Sequence, residues 1–370
     1  MLLADTKEKA PTIGRGFFYF KGVFCERDSS GTTCCREAAA GDGADSPTQA
    51  AKGGEAARPN HYTYMKTEIK NWFADLQARI CDGLENLDGK AKFITDDWTR
   101  AEGGGGRTCV IENGALLAKG GVAYSAVEGA GNAQLLRTLQ IPHTEADLEG
   151  LQFIATGVSI VLHPISPMVP IIHMNVRYFE LSNGFAWFGG GIDLTPHYVI
   201  PELAADFHAQ LKAVCDKHNP TYYPLFKNWA DDYFYIRHRQ EMRGIGGIFF
   251  DRLNDKYADA PTEKQAAWAF VQDVGNAFVP LYAHQANATR ALEYGEAEER
   301  WQSIRRSRYV EFNLVWDRGT HFGLQTNGRT ESILMSMPPS AQWFYNQQPE
   351  AGTKEADTLQ YFQKGRDWLG

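Results

Sequence analysis

Several features that mark other protein classes are scarce in this sequence of 370 residues. It has six cysteines, and no two are spaced as Cys-x-x-Cys, so we expect neither a disulfide framework nor a zinc site. No run of about 18 apolar residues occurs, so no transmembrane segment is predicted. Basic residues number 37 against 45 acidic ones, and the net charge of −8 argues against a general nucleic-acid-binding protein.

Targeting signals are equally scarce. The first residues lack an apolar core with a cleavage site, and the early acidic Asp5 and Glu8 do not fit an acid-poor transit peptide. The prediction is a cytoplasmic protein with reduced thiols. The aromatic stretch Phe17–Phe20 keeps a mitochondrial location as the alternative.

Large apolar side chains are almost missing from residues 26–60. Such a segment cannot offset its ordering entropy by burial, so we predict a disordered insert after an N-terminal segment, 1–25. No later compositional break is visible, and residues 64–370 are therefore predicted to form a single domain.

Hydrophobic periodicity predicts alternating groups of helices and strands. Helices are expected over Lys66–Leu87, Glu202–Lys217, Tyr222–Glu241 and Glu263–Glu293. Strands are expected over Phe153–Leu162, Ile171–Leu181, Phe185–Phe188 and Gly244–Phe250, with a hairpin formed by Tyr309–Trp316 and Thr320–Gln325. Strands that arrive as adjacent hairpins, with helices clustered elsewhere, indicate an α+β fold with a mainly antiparallel sheet.

The strand Ile171–Leu181 carries the most informative pattern. Its alternation places His173, Asn175 and Arg177 on one face and apolar residues on the other. A solvated sheet face would give the same pattern. The run Gly189–Gly191 in the next strand, however, would let a ligand approach the backbone closely.

The hairpin turn decides which face Asp193 occupies. A two-residue turn at Asn183–Gly184 would place Asp193 opposite Met174, on the apolar face. We therefore expect an irregularity within Gly189–Gly191 that turns Asp193 onto the polar face.

Three further groups of residues are candidates with open interpretations. The basic stretch Arg237–Arg243 either stabilises a helix end or binds carboxylates. The turn around Asn327, Gly328 and Arg329 is either an ordinary turn or an anion-binding one. The histidines lack an HExxH motif, and we expect no metal; if one were bound, the candidate ligands are His163, His173, His208 and His238.

Long ordered motifs resemble the oxygen-dependent coproporphyrinogen III oxidase family. They are His173-Met-Asn-Val-Arg-Tyr-Phe179, Trp187-Phe-Gly-Gly-Gly-Ile-Asp-Leu-Thr-Pro196, Arg243-Gly-Ile-Gly-Gly-Ile-Phe-Phe-Asp251, Arg308-Tyr-Val-Glu-Phe-Asn-Leu314, Asp317-Arg-Gly-Thr320 and Glu331-Ser-Ile-Leu-Met-Ser-Met-Pro-Pro339. The resemblance runs from about Tyr64 to Gly370, so residues 64–370 would be the catalytic domain.

The resemblance implies a homodimer built on a large flat antiparallel sheet that helices cover on both faces. It implies oxidative decarboxylation of two propionates of coproporphyrinogen III to vinyl groups, giving protoporphyrinogen IX in haem biosynthesis. Dioxygen would be the co-substrate, without a metal or organic cofactor, and carbon dioxide and hydrogen peroxide would be released.

The resemblance also implies roles for individual residues. Asp193 would hold the pyrrole N–H groups and assist deprotonation, His173 would act as general acid or base, and Arg177 would grip a propionate. The implied substrate-binding residues are Ser159, Asn175, Val176, Arg177, Asn327, Gly328 and Arg329.

The sequence also departs from the family pattern. Ile165 and Ser166 stand where the family usually has Arg and Asn, which puts propionate discrimination in question more than the chemistry. A porphyrinogen carrier without turnover and a metal-dependent oxygenase that uses the four histidines are the alternative functions.

Overall fold

One antiparallel sheet organises the protein. The computed structural model describes residues 61–253, 262–325 and 328–370, and its seven-stranded sheet has the order β1-β2-β3-β4-β5-β6-β9. The strands of this sheet are β1 (Ile94–Thr99), β2 (Gly104–Glu112), β3 (Leu117–Ala130), β4 (Gln152–Pro164), β5 (Ile171–Leu181), β6 (Ala186–Thr195) and β9 (Gly246–Leu253). Two short strands, β7 (Tyr235–Ile236) and β8 (Glu241–Met242), pair with each other.

Helices fill most of the remaining described chain. They are α1 (His61–Asp88), α2 (Ala133–Thr138), a 3₁₀-helix (Glu145–Leu148), α3 (Pro201–Asp216), α4 (Tyr222–Tyr233), α5 (Lys264–Thr289), α6 (Glu296–Glu311), a π-helix (Phe312–Trp316), α7 (Arg318–Gln325), α8 (Thr330–Leu334) and α9 (Lys354–Leu359). None of the helices within the described ranges has the length and apolar character to cross a membrane. The α+β class and the antiparallel sheet are confirmed.

The two faces of the sheet have different covers. Even-numbered side chains of β5, such as Met174 and Val176, enter the main apolar core with α1 and α5. On the odd-numbered face, Tyr309 of α6 packs on Val161 and Ile171. Ser336, just after α8, accepts a hydrogen bond from His163 through its carbonyl oxygen at 2.9 Å. The predicted covering of both faces by helices is therefore confirmed.

Helix α1 shows how sequence periodicity produces the core. Its apolar side chains recur every three or four residues and so form one stripe, which the sheet buries. The fully buried members are Ile69, Phe73, Leu76 and Leu84. The structure also confirms three predicted helices, α1, α3 and α5, and three predicted strands, β4, β5 and β9. Their boundaries differ from the predicted ones by a few residues.

The predicted irregularity in β6 was wrong for its pairing with β5. The loop has three residues, Ser182–Gly184, because the Leu181 amide donates to the Phe185 carbonyl at 2.7 Å and Gly184 takes a φ of 94°. Pairing then stays regular from Glu180–Ala186 to Ile171–Thr195. This register places Asp193 opposite His173 on the polar face without a bulge, and the glycine run is irregular only towards β9.

The predicted hairpin over Tyr309–Trp316 and Thr320–Gln325 was also wrong. These residues belong to α6, the π-helix and α7. The alternation of Glu311 and Asn313 is too short to define a strand, whereas α6 begins 15 residues before Glu311, at Glu296. The buried Trp301, Ile304 and Arg305 of α6 recur at the three- and four-residue steps of a helix.

The predicted helix Tyr222–Glu241 is shorter than expected. It ends at Tyr233, and the chain turns through β7 and β8 to return at Arg243. The Arg243 amide donates to the Phe234 carbonyl at 3.0 Å, which closes this turn. The predicted segments 1–25 and 26–60 lie outside the described residues.

Asp88 joins the end of α1 to the β2–β3 turn. Its carboxylate accepts hydrogen bonds from the backbone amides of Lys90, Ala91, Ala115, Leu116 and Leu117, at 2.9–3.2 Å. Burial opposes ionisation, but these amides outweigh it and lower the pKa of Asp88 to about 2.

We predict that Asp88→Asn lowers the free energy of unfolding at pH 7 by about 2 kcal/mol. The folded-state pKa is depressed, so the contribution is present above the unfolded pKa of about 4 and is lost as pH falls towards about 2. Urea unfolding at pH 7 and pH 3 should show a smaller difference between variant and parent at pH 3. Asp75→Asn, on the exposed side of α1, is the control and should cost less than about 0.5 kcal/mol. Equal losses from both variants would contradict the assignment.

Candidate active site

The regular register gathers the polar residues of three strands on one face. His173 of β5 lies opposite Asp193 of β6, and Asn175 lies opposite Ser159 of β4. Arg177 lies between Gly157 and Gly189. All five polar side chains are buried, and Tyr309 of α6 packs on the same face against Val161 and Ile171.

Asp193 is the centre of this group. Its carboxylate is 2.7 Å from His173 Nδ1, and one terminal nitrogen of Arg243 lies 2.7 and 2.6 Å from its two oxygens. Burial raises the pKa of a carboxyl group, but the charge of Arg243 and the hydrogen bond from His173 outweigh it, so the pKa of Asp193 is lowered. An ionised carboxylate can only accept a hydrogen bond, so His173 Nδ1 is the donor, and this contact fixes the orientation of the ring.

Aromatic rings surround the other side of Arg243. Its guanidinium carbon lies 4.4 Å from the ring centre of Phe234 and 4.7 Å from those of Tyr309 and Phe312. Phe312 begins the π-helix, an irregularity that is frequent at functional sites. The rings exclude water, and cation–π attraction holds the guanidinium on Asp193.

Sequence reasoning did not assign Arg243 to the site. The stretch Arg237–Arg243 was divided between a helix end and a carboxylate cluster, and the structure shows that its members separate. Arg239 and His238 contact Glu311, at 2.7 Å each, and these two residues are exposed. Arg243 is buried instead, and the carboxylate that it binds is that of Asp193. The sequence feature that could have indicated the buried position of Arg243 is the glycine-rich motif Arg243-Gly-Ile-Gly-Gly that follows it. In this motif Gly246 takes a φ of 78°, which favours glycine.

Arg177 has an acidic partner that the sequence did not reveal. One terminal nitrogen donates to Asp251 of β9 at 2.8 Å, and the other donates to the Asn175 side chain at 2.7 Å. A Cβ atom at Gly189 would lie 2.7 Å from the guanidinium carbon. The missing side chain at Gly189 therefore leaves the space that the Arg177 guanidinium occupies. A ligand was expected to approach the backbone here, and at Gly189 the group that does so is Arg177.

A comparison with known families covers almost all of this structure. The model of the coproporphyrinogen III oxidase family matches residues 68–368, a range that contains the seven strands of the sheet and Asp193. The chain belongs to the coproporphyrinogen III oxidase family. Members are oxidoreductases of haem biosynthesis that decarboxylate coproporphyrinogen III, and the motifs that suggested the family lie in the matched range.

Two residues expected to bind substrate in this oxidase have distinct surroundings. The Ser159 hydroxyl is buried and has no hydrogen-bond partner among the described residues, so it has an unused donor and acceptor on the site face. The Val176 side chain points to the opposite face and lies in the apolar core. Only the backbone of Val176 belongs to the site face.

The second expected substrate-binding turn lies apart from the first group. Asn327 falls outside the described residues. Gly328 is buried, and Arg329 forms an ion pair with Asp96 on β1. Four strand spacings of about 4.8 Å separate β1 from β5, so Arg329 lies roughly 19 Å from the line of His173 and Arg177.

The four histidines considered as metal ligands do not converge. His163 Nε2 donates to the Ser336 carbonyl, His173 contacts Asp193, and His238 contacts Glu311. His208 contacts the Tyr223 hydroxyl and the Ile245 carbonyl. Within residues 61–253, 262–325 and 328–370, no group of three or more His, Cys, Asp or Glu side chains is arranged for a metal ion. The residues present do not fit a metal bound by these four histidines.

We predict that Asp193→Ala lowers the free energy of unfolding by about 3–5 kcal/mol, because it leaves the buried Arg243 without its carboxylate. Asp97→Ala makes the same chemical change in the exposed pair with Arg107 and should cost less than about 1 kcal/mol. Urea unfolding at neutral pH measures both. A cost for Asp193→Ala no larger than that for Asp97→Ala would show that the pair is solvated rather than buried.

Proposed function

We propose that this protein converts coproporphyrinogen III to protoporphyrinogen IX with dioxygen as the electron acceptor. The observation that carries the proposal is the buried contact of His173, Asp193 and Arg243 beside Arg177, in a chain that belongs to the coproporphyrinogen III oxidase family. It supplies an ionised carboxylate, a proton-transferring imidazole and a guanidinium on one sheet face.

Asp193 is the proposed acceptor for pyrrole N–H hydrogen bonds. A carboxylate held in its charged form is available to accept a pyrrole N–H hydrogen bond. Deprotonation along that hydrogen bond would give an electron-rich ring that can transfer electrons to dioxygen directly. Arg243 keeps Asp193 ionised in a buried place. His173, oriented by the same carboxylate, is the proposed group that carries a proton to or from the reacting carbon or the reduced oxygen.

Arg177 is the proposed binding group for the reacting propionate. Its fork can pair with a carboxylate, and Asp251 and Asn175 already fix its plane. The unpartnered Ser159 hydroxyl, opposite Asn175, is a further donor for the same carboxylate. Such contacts would hold the propionate in the orientation from which carbon dioxide leaves.

The electrons and atoms of each half-reaction balance. One propionate loses carbon dioxide and one hydrogen from its remaining two-carbon chain, which becomes a vinyl group. Dioxygen takes the two electrons released and two protons, and it leaves as hydrogen peroxide. Two such half-reactions give protoporphyrinogen IX, two carbon dioxide and two hydrogen peroxide, without a metal or organic cofactor in the proposal.

The buried position of the site sets a requirement for binding. His173, Asn175, Arg177 and Asp193 are all buried. A tetrapyrrole would contact these side chains only after residues packed on this face, such as Tyr309, moved aside. Closure over the bound substrate would then exclude water and strengthen the electrostatic contacts with the propionates.

We predict turnover of coproporphyrinogen III in air by purified, metal-analysed protein in the presence of a chelator. Products are measured by chromatography after oxidation to fluorescent porphyrins. Asp193→Asn, which keeps the size of the side chain, should lower kcat by about 100-fold or more, whereas Asp97→Asn should leave it unchanged. Bound substrate without product would favour a carrier, and product only after metal addition would favour a metal-dependent oxygenase.

A second copy of the chain is the proposed protein partner. Five large apolar side chains are exposed in two short stretches of the chain. Leu314 and Val315 follow Glu311 closely in sequence, and Phe344 and Tyr345 follow Trp343, whose indole donates to Glu311 at 2.9 Å. We call these five residues the apolar patch. An exposed patch rimmed by charged groups is typical of an interaction surface, and it supports the homodimer that the family resemblance implies. The cytoplasmic location stays a prediction.

We predict that Val315→Asp weakens dimerisation about 100-fold, because a charge would be desolvated in the interface. Light scattering after size exclusion, over a range of protein concentrations, measures the mass. Ile94→Asp makes the same kind of change at an exposed position of β1 and should leave the dimer intact. A monomeric parent protein, or a Val315→Asp dimer as stable as the parent, would remove the patch as the interface.

A further inference from the structure

Two cysteines that the site does not use face each other across the main core. Cys81 lies on α1 and Cys109 lies on β2. Gln77, one turn before Cys81, donates from its side chain to the carbonyl oxygens of Arg107 and Val122, at 2.8 Å each. Gln77 therefore binds α1 to β2 at Arg107, two residues before Cys109.

The spacing of helix and strand brings the two thiols together. From Gln77 to Cys81 the helix rises about 6 Å, and from Arg107 to Cys109 the strand advances about 6.8 Å. The helix and the strand run in the same direction and advance by similar lengths over these residues. Cys81 therefore faces Cys109 as Gln77 faces Arg107. The two thiols accordingly lie in the same core cluster between α1 and β2, and the Thr95 hydroxyl lies 3.8 Å from the Cys109 sulfur.

We propose that Cys81 and Cys109 are a modification site, a dithiol that peroxide oxidises to a disulfide joining α1 to the sheet. The inference stands on the pairing of α1 with β2 and does not rest on the proposed oxidase reaction. That reaction, where it occurs, releases the same oxidant in the molecule.

The surroundings favour Cys109 as the thiol that reacts first. The hydrogen bond from Cys81 stabilises the Cys109 thiolate and, with Thr95 and the charge of Arg107, lowers the pKa of Cys109 to about 7. The same contact raises the pKa of Cys81, which keeps its proton. A thiolate beside a protonated partner is the pair that disulfide formation requires.

The chemistry balances with peroxide as the only oxidant. The Cys109 thiolate attacks one peroxide oxygen, the O–O bond breaks, and hydroxide leaves and takes up a proton, which gives a sulfenic acid. The Cys81 sulfur then attacks the Cys109 sulfur, the S–S bond forms, the S–O bond breaks, and water leaves with the Cys81 proton. Two thiols and one hydrogen peroxide become one disulfide and two water molecules.

Cys215 is the internal control. It is fully buried on α3, and burial raises its pKa to about 12. It has no second thiol beside it among the described residues. We expect it to survive peroxide that oxidises the pair.

The experiment treats the folded full-length chain with hydrogen peroxide, blocks remaining thiols with an alkylating reagent and maps peptides by mass spectrometry. We expect a linked pair of peptides that contain Cys81 and Cys109, which disappears after dithiothreitol. The midpoint of thermal unfolding should rise by roughly 5 °C in the oxidised protein, because the cross-link constrains the unfolded chain. Cys81→Ala should abolish both effects, and Cys215→Ala should abolish neither.

If Cys81 and Cys109 stay unlinked at peroxide concentrations that oxidise methionine, the proposal is wrong. It is also wrong if the linked peptides join other cysteines. Should Cys81→Ala fail to fold, Cys109→Ala offers the same comparison from the strand side, and the peptide map of the parent protein decides the question without any variant.

Discussion

Asp193 is ionised inside the protein, and the arrangement around it follows from the cost of keeping a charge there. Removing a carboxylate and a guanidinium from water costs several kcal/mol for each ion, so the pair persists only with good geometry and further hydrogen bonds. Arg243 supplies the opposite charge, His173 supplies a hydrogen bond, and three aromatic rings cover the guanidinium. A charge held this firmly is ready for catalysis without reorganisation.

Residues far from the site in sequence hold Arg243 in place. The Ile245 amide donates to the Leu194 carbonyl, next to Asp193, and the Ile245 carbonyl accepts from His208 and the Trp368 indole. The Met242 amide donates to the carbonyl of Phe362. Phe362 and Trp368 thus hydrogen-bond to the chain on either side of Arg243, at Met242 and Ile245. His208, considered as a metal ligand from sequence, has instead a positioning contact with this turn.

The sheet divides structural and chemical duties between its faces. The face under α1 and α5 is apolar and carries the stability of the fold, with Asp88 and Gln77 fixing α1 at two places. The opposite face carries the buried charges and is lined by glycines that make room for Arg177. Because β5 contributes alternate residues to both faces, a shift of one residue in its register would exchange the two sets.

The sequence by itself determined the features that depend on neighbouring residues. The three- and four-residue spacing in α1, the alternation in β5 and the family motifs were enough for the α+β class, for the polar line of His173, Asn175 and Arg177, and for the family. Local pattern could not decide the β5–β6 register, since two- and three-residue loops suit the same Ser-Asn-Gly stretch and differ by one position. It also predicted a hairpin over residues 309–325, which form the end of α6, the π-helix and α7. Only the tertiary structure decided that Arg243 meets Asp193 and that Asp251 meets Arg177. These pairs join residues 50 and 74 positions apart, and the partner of a buried charge is set by packing across the sheet.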